Sequence, residues 1–229
     1  MNEMSFFQVN EMKVSVSQFI NLLSNYSTSN NLDAITQQEK NFFEFISKQI
    51  LFVREVYNNY PHYRLKVLIS DYYNYIVSII RGENRYIYLN ERSIIEGYTR
   101  WIVSTTVEED HITPALIAQL KSNNYIHPLT DDEYSLIKSE YVTSCGFIHG
   151  SQLLNSSLSY VFQECIEKCS AIKNINCYFQ RIMRIIKIFN RLVISNMTEQ
   201  IDTTFWCKKS ILEYLIGKDN VSILFILRK

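Results

Sequence analysis

The chain has 229 residues, is 47% apolar, and carries 23 Lys and Arg against 23 Asp and Glu, for a formal net charge of zero. That length supports one substantial core, and neutrality excludes a bulk electrostatic pull toward nucleic acid or membrane. Five glycines and three prolines fall well below ordinary usage, which argues against a turn-rich sheet protein. The expectation is an all-α bundle of long antiparallel helices in a single domain, 1–229. A subdivision near Ser151 stays open, between a helical core (1–150) and a basic helical part (151–229).

The first residues, MNEMSFFQVNEMK, lack the basic start and apolar run of an export signal. No stretch approaches the ~18 apolar residues of a membrane span. Five cysteines, an odd number without framework spacing, fit a reducing compartment. A cytoplasmic protein without a membrane partner is expected.

In chain order, residues 1–14 are ambiguous, and Ser15-Val-Ser-Gln18 is a weak helix start. Thr36-Gln-Gln-Glu39 is a capping box, in which the threonine oxygen accepts from the third helical N–H and the glutamate reaches back. After it, Phe42, Phe45, Ile46, Ile50, Val53 and Tyr57 recur at helical spacing, predicting a helix over 36–59. Tyr60-Pro61 ends it. A second helix runs to about Ile80 and stops at Arg81-Gly-Glu-Asn84. A third, beginning near 86 or 90, runs through Ser104. Thr113-Pro114 opens a short helix over 114–122, with proline where no N–H is lost. Thr130-Asp-Asp-Glu133 repeats the capping box before a helix over 131–149, and Gly150 with Asn155-Ser-Ser157 makes a break. Helices over 158–172, 177–194 and 198–216 follow, with Gly217 as a C-terminal cap. The run Val221–Leu227 reads as a short strand or a helix.

Two segments set polar groups into apolar helices. Arg92, Glu96 and Arg100 share one face of a helix rich in Ile94, Ile95, Tyr98, Trp101, Ile102 and Val103. They form either a structural ion pair or a site, because buried charges must be paired and such pairing also marks functional positions. His149 ends the helix that carries Tyr141, Ser144 and Cys145. It reads as a capping or core histidine, or as a group titrating near neutrality under the helix dipole.

The spacing Arg92-Ser-Ile-Ile-Glu96, followed by a tyrosine–serine helix ending in His149-Gly-Ser151, resembles uncharacterised all-helical bacterial proteins similar to the HEPN superfamily. The resemblance covers roughly 60–150. It implies a helical bundle, often dimeric, frequent in antiviral-defence and toxin–antitoxin systems, and in many members a metal-independent ribonuclease. The HEPN motif is an arginine, then four to six intervening residues, then the histidine. Here the positions for that arginine are Val142, Thr143 and Ser144, so Arg92 would supply the charge from another helix. In the catalytic version His149 is the general acid/base for 2′-OH attack on a phosphodiester, Arg92 stabilises the phosphorane, and Glu96 holds Arg92.

From Lys168 onward, eleven Lys and Arg stand against four Asp and Glu. Within that part Arg181, Arg184, Lys187 and Arg191 form one basic stripe, with Ile182, Ile185, Ile186 and Phe189 facing away. The stripe is either an ordinary solvated face or a surface that follows phosphates. Cys165 and Cys169 lack a second close pair, so no metal site is expected, and no cofactor motif is present. His62, His111 and His127 stand alone at loop or helix-end positions.

The functional expectation is a HEPN-like protein that binds or cleaves RNA or a nucleotide, with a protein partner or a second copy. The alternative is a non-enzymatic helical subunit that docks an effector.

Overall fold

The computed structural model describes residues 3–103, 114–122, 128–148 and 174–228, with 157, 159 and 172 besides. Within them the chain is all-α, with ten helices packed together and no strand. These are α1 (Glu3–Ser29), α2 (Gln37–Asn59), α3 (Tyr63–Arg81), α4 (Asn84–Val103), α5 (Pro114–Ser122), α6 (Asp131–Ile148), α7 (Ile175–Asn196), α8 (Thr198–Thr204), α9 (Lys209–Ile216) and α10 (Lys218–Leu227). No helix of the described residues is long and apolar enough to cross a membrane.

Local signals set most boundaries. Glu39 N donates to Thr36 Oγ1 at 3.2 Å while Thr36 N donates to Glu39 Oε2 at 2.7 Å, completing the first capping box. Thr130 and Glu133 form the second in the same way. Gly82 ends α3 with φ 67°, a left-handed conformation that costs glycine little. Gly217 is the cap of α9, as expected.

Two expectations change, and one open choice closes. The weak start at Ser15–Gln18 lies inside α1, which is continuous from Glu3. Residues 198–216 are not one helix but two, because the chain breaks after Thr204. The break buries Phe205 completely against Phe52, with ring centroids 6.1 Å apart. The corner is held by Asp202, which takes Lys209 at 2.5 Å and Arg228 at 3.1 Å. The terminal run is helical, as α10. Apart from residues 159 and 172, the helix expected over 158–172, with Cys165 and Cys169, lies outside the described residues, as do His111 and His127.

The centre is a set of long helices. Helices α3 and α4 are antiparallel: Asn90 donates to Ser78, Ser93 to Asp71, and Tyr72 to Tyr98. Helix α6 lies antiparallel on the opposite side of α4, with Phe147 stacked on Tyr88 at 3.9 Å. Helix α7 carries the broadest apolar face, burying Tyr178, Phe179, Ile182, Ile185, Ile186, Ile188, Phe189, Leu192, Val193 and Ile194. It wedges between α2 and α4, so that Phe179 stacks on Phe42 at 4.1 Å and Phe189 on Tyr98 at 5.1 Å. Burial of each such ring stabilises the fold by about 1.5–3 kcal/mol relative to its exposure.

Candidate functional site

Helix α4 presents two polar faces, one toward the surface and one inward. On the outer face Arg92 Nε donates to Glu96 Oε1 at 2.8 Å, and the Tyr141 hydroxyl of α6 donates to the same oxygen at 3.1 Å. The Arg92 guanidinium lies 5.7 Å from the Tyr141 ring centre. Arg100 Nη2 stands 4.0 Å from Glu96 Oε2. Arg92 and Glu96 are 22% and 15% exposed, a partly buried pair rather than a solvated ladder. Burial works against the charge of Arg92, but Glu96 more than offsets it and raises its pKa. Burial, then the neighbouring Glu96, pushes the Tyr141 hydroxyl up to about 12. Close by, Ser93 Oγ donates to Asp71 at 2.6 Å, and burial raises that carboxyl despite the bond.

The structure therefore brings Arg92, Glu96, Arg100 and Tyr141 together. His149 lies outside the described residues. The last described residue before it, Ile148, accepts through its carbonyl from Arg85 Nη2 at 3.3 Å.

The basic stripe of α7 has a different setting from the open phosphate-facing one. Arg181 is ion-paired with Glu140, and Arg191 takes both oxygens of Glu133, at 3.0 and 2.6 Å. Both acids belong to α6, so the ends of the stripe close the α6–α7 joint. Arg184 and Lys187 remain exposed between them.

The inner face of α4 carries Glu91, which is 2% exposed. Tyr178 of α7 donates to its Oε2 at 2.6 Å and Ser144 of α6 approaches Oε1 at 2.6 Å. The Tyr75 hydroxyl of α3 lies 2.5 Å from that of Tyr178. A second buried chain passes from Tyr72 to Tyr98 at 3.0 Å, Tyr98 to Asn190 at 3.5 Å and Asn190 to Gln49 at 2.8 Å. Sequence reasoning passes over Glu91, Glu140, Gln49 and Asn190. The one available signal is a polar residue within an apolar stripe, as Glu91 is among Ile87, Ile94 and Tyr98.

The Glu96 ladder ends at a cleft of about 550 Å³, where the α2–α3 connection meets the end of α4 and α8. Its lining includes Tyr60, His62, Arg64, Arg100, Trp101 and Gln200. His62 caps α3: its Nδ1 accepts from Arg64 N at 3.2 Å, so the neutral ring carries its proton on Nε2. Arg64 Nη1 donates to the Arg100 carbonyl at 3.4 Å, which ties the start of α3 to the end of α4. Among the described residues, no group of three or more His, Cys, Asp and Glu is placed to hold a metal ion.

No family model matches this chain, and no curated protein or solved structure matches it either.

Proposed function

We propose that this is a HEPN-like helical protein of a prokaryotic antiviral-defence or toxin–antitoxin system, and that it binds RNA or a nucleotide at the cleft between α3, α4 and α8. What carries the reading is the convergence of Arg64, Arg100 and His62 on one opening walled by Trp101 and Tyr60. Guanidinium groups match phosphate oxygens with paired donors, and aromatic faces stack bases without regard to sequence. The cleft volume of about 550 Å³ falls within the usual range for small-molecule sites. Glu96 orients Arg100 from behind, 4.0 Å away, which lowers the entropy lost when a phosphate is gripped.

The test is a fluorescence titration of Trp206→Phe protein, which leaves Trp101 as the reporter, with ATP and with a short RNA. Quenching that weakens by about tenfold or more in Arg100→Ala, the loss of one charge-assisted pair, supports the reading. Unchanged affinity in Arg100→Ala and Arg64→Ala, or no quenching at all, sinks it.

A second reading, a non-enzymatic subunit that docks an effector or a second copy, draws on a different face. Phe7 and Val14 of α1 are 70% and 55% exposed and share one groove with Asn10, Glu11, Ser15 and Gln18, an apolar pair rimmed by polar residues of the kind that marks interaction sites. Phe7→Asp with Val14→Asp would then abolish partner capture while leaving the nucleotide titration unchanged.

A further inference from the structure

The buried joint between α3, α4, α6 and α7 has more hydrogen-bonding oxygen pairs than hydroxyl protons. Tyr75 Oη lies 2.5 Å from Tyr178 Oη, and Tyr178 Oη lies 2.6 Å from Glu91 Oε2. Ser144 Oγ lies 2.6 Å from Glu91 Oε1 and also 2.9 Å from the Glu140 carbonyl. Each hydroxyl supplies a single proton. Tyr75 spends its proton on Tyr178, and Tyr178 spends its own on Glu91 Oε2. Reversing the tyrosine pair only strips Oε2 of its donor. Ser144 then stands between two acceptors with one proton to give.

A fourth proton resolves the arrangement. With Glu91 as a carboxylic acid, its Oε1–H donates to Ser144 Oγ and Ser144 donates to the Glu140 carbonyl, so every close oxygen pair is bridged. We propose that Glu91 is held as a neutral carboxylic acid in the folded protein at neutral pH, and that its ionisation loosens α6 from α4 and α7.

The charges around it agree. From α6, the Glu140 carboxylate faces the joint, 5% exposed and ion-paired with Arg181 of α7. Ionised Glu91 would be a second buried anion sharing that one arginine. The other titratable groups facing it are Tyr75 of α3, Tyr88 of α4 and Tyr178 of α7. Burial pushes Glu91 up to about 8, and Glu140 pushes the same way, whereas the bonds from Ser144 and Tyr178 and the charge of Arg181 pull it down. The titration acts on the C-terminal half of α6, where Ser144 and Phe147 dock on Glu91 and Tyr88 and the chain leads into His149-Gly-Ser151. The joint is a pH-sensitive latch on that end of the helix.

Infrared spectroscopy of the full chain at pH 7 tests the first half. A carboxylic-acid C=O band should be present in wild type, shift in D₂O, bleach with a midpoint above pH 7, and be absent in Glu91→Gln. Its absence from wild type overturns the proposal. Should Glu91→Gln not fold, the wild-type titration decides alone. Amide hydrogen exchange tests the second half. Between pH 7 and 9, protection of residues 137–148 should fall about tenfold beyond the base-catalysed rise in wild type, and not in Glu91→Gln, as expected of a local opening. Equal loss of protection in both proteins overturns the latch.

Discussion

The Tyr178 hydroxyl donates to Glu91 Oε2 at 2.6 Å in the fully packed interior, tying α7 to α4. A buried oxygen without a donor costs about 1–3 kcal/mol. Tyr178→Phe also leaves Tyr75 without its acceptor, so destabilisation at the upper end of that range is expected in urea melts. A change under about 0.5 kcal/mol, the level of a neutral surface substitution, would count against the network.

The same pair sets a pH dependence. Glu91 has a folded pKa of about 8 against an ordinary 4.5, so between those values the folded chain binds more protons than the unfolded one. Its contribution is complete below about pH 4.5 and is lost as pH rises through about 8, with a slope of at most about 1.4 kcal/mol per pH unit. Glu133 acts oppositely. Burial would raise its pKa, but Arg191 and Thr130 lower it on balance, so its contribution is present above the ordinary value and lost on acidification. In wild type, denaturation midpoints measured from pH 3 to 9 should fall steadily between about pH 4.5 and 8 and level off above, and should fall again on acidification below about pH 4.5. The fall between about pH 4.5 and 8 should disappear in Glu91→Gln.

Arg181 and Arg184 should separate structural from exposed cations. Removing Arg181 strands the buried Glu140 carboxylate. The expected cost is about 2 kcal/mol, below that of a fully buried pair because part of the guanidinium meets water. Arg184→Ala, on the exposed face, should change stability by less than about 0.5 kcal/mol. If the stripe follows phosphates, that substitution should reduce the salt slope of RNA binding by about 1. An unchanged slope in Arg184→Ala and Lys187→Ala would exclude the stripe as a nucleic-acid surface.

Asn190 links Tyr98 to Gln49 inside the core, at 1% exposure. Asn190→Leu keeps the volume but leaves the Gln49 carbonyl oxygen without its donor, a loss of about 1–3 kcal/mol. Replacing Gln49 and Asn190 together by Leu should recover part of it, and strictly additive losses would show that the two are not coupled.

The catalytic version of the function is checked by incubating wild type and His149→Ala with labelled RNA without added metal. Cleavage by wild type that is lost in the mutant would establish a ribonuclease and make Arg92→Ala the next variant. Binding without cleavage in both proteins would leave the protein a binding module.

Much of the architecture was legible because its signals are local. The two capping boxes, the Tyr60-Pro61 stop and the 3.6-residue apolar period act within a few residues, and each marked a real boundary. The break after Thr204 was not legible, since nothing within 198–216 says that Phe205 will be drawn against Phe52 of a helix about 150 residues earlier. The site was legible in part: the Arg92–Glu96–Arg100 spacing and the polar segment carrying Tyr141 were visible, but not the bond that joins them or the ladder's end in the cleft with Arg64.

By itself the sequence determined the helical class, most helix limits and the single-helix ladder, because these depend on backbone capping and side-chain period within one segment. Tertiary structure alone decided that Glu140 and Glu133 close the basic stripe, that Tyr60, His62, Arg64, Arg100 and Trp101 share a cleft, and that Glu91 meets Tyr178 and Ser144. Those outcomes depend on which faces of separate helices oppose one another. Packing chooses that opposition, and it leaves no mark in any one segment.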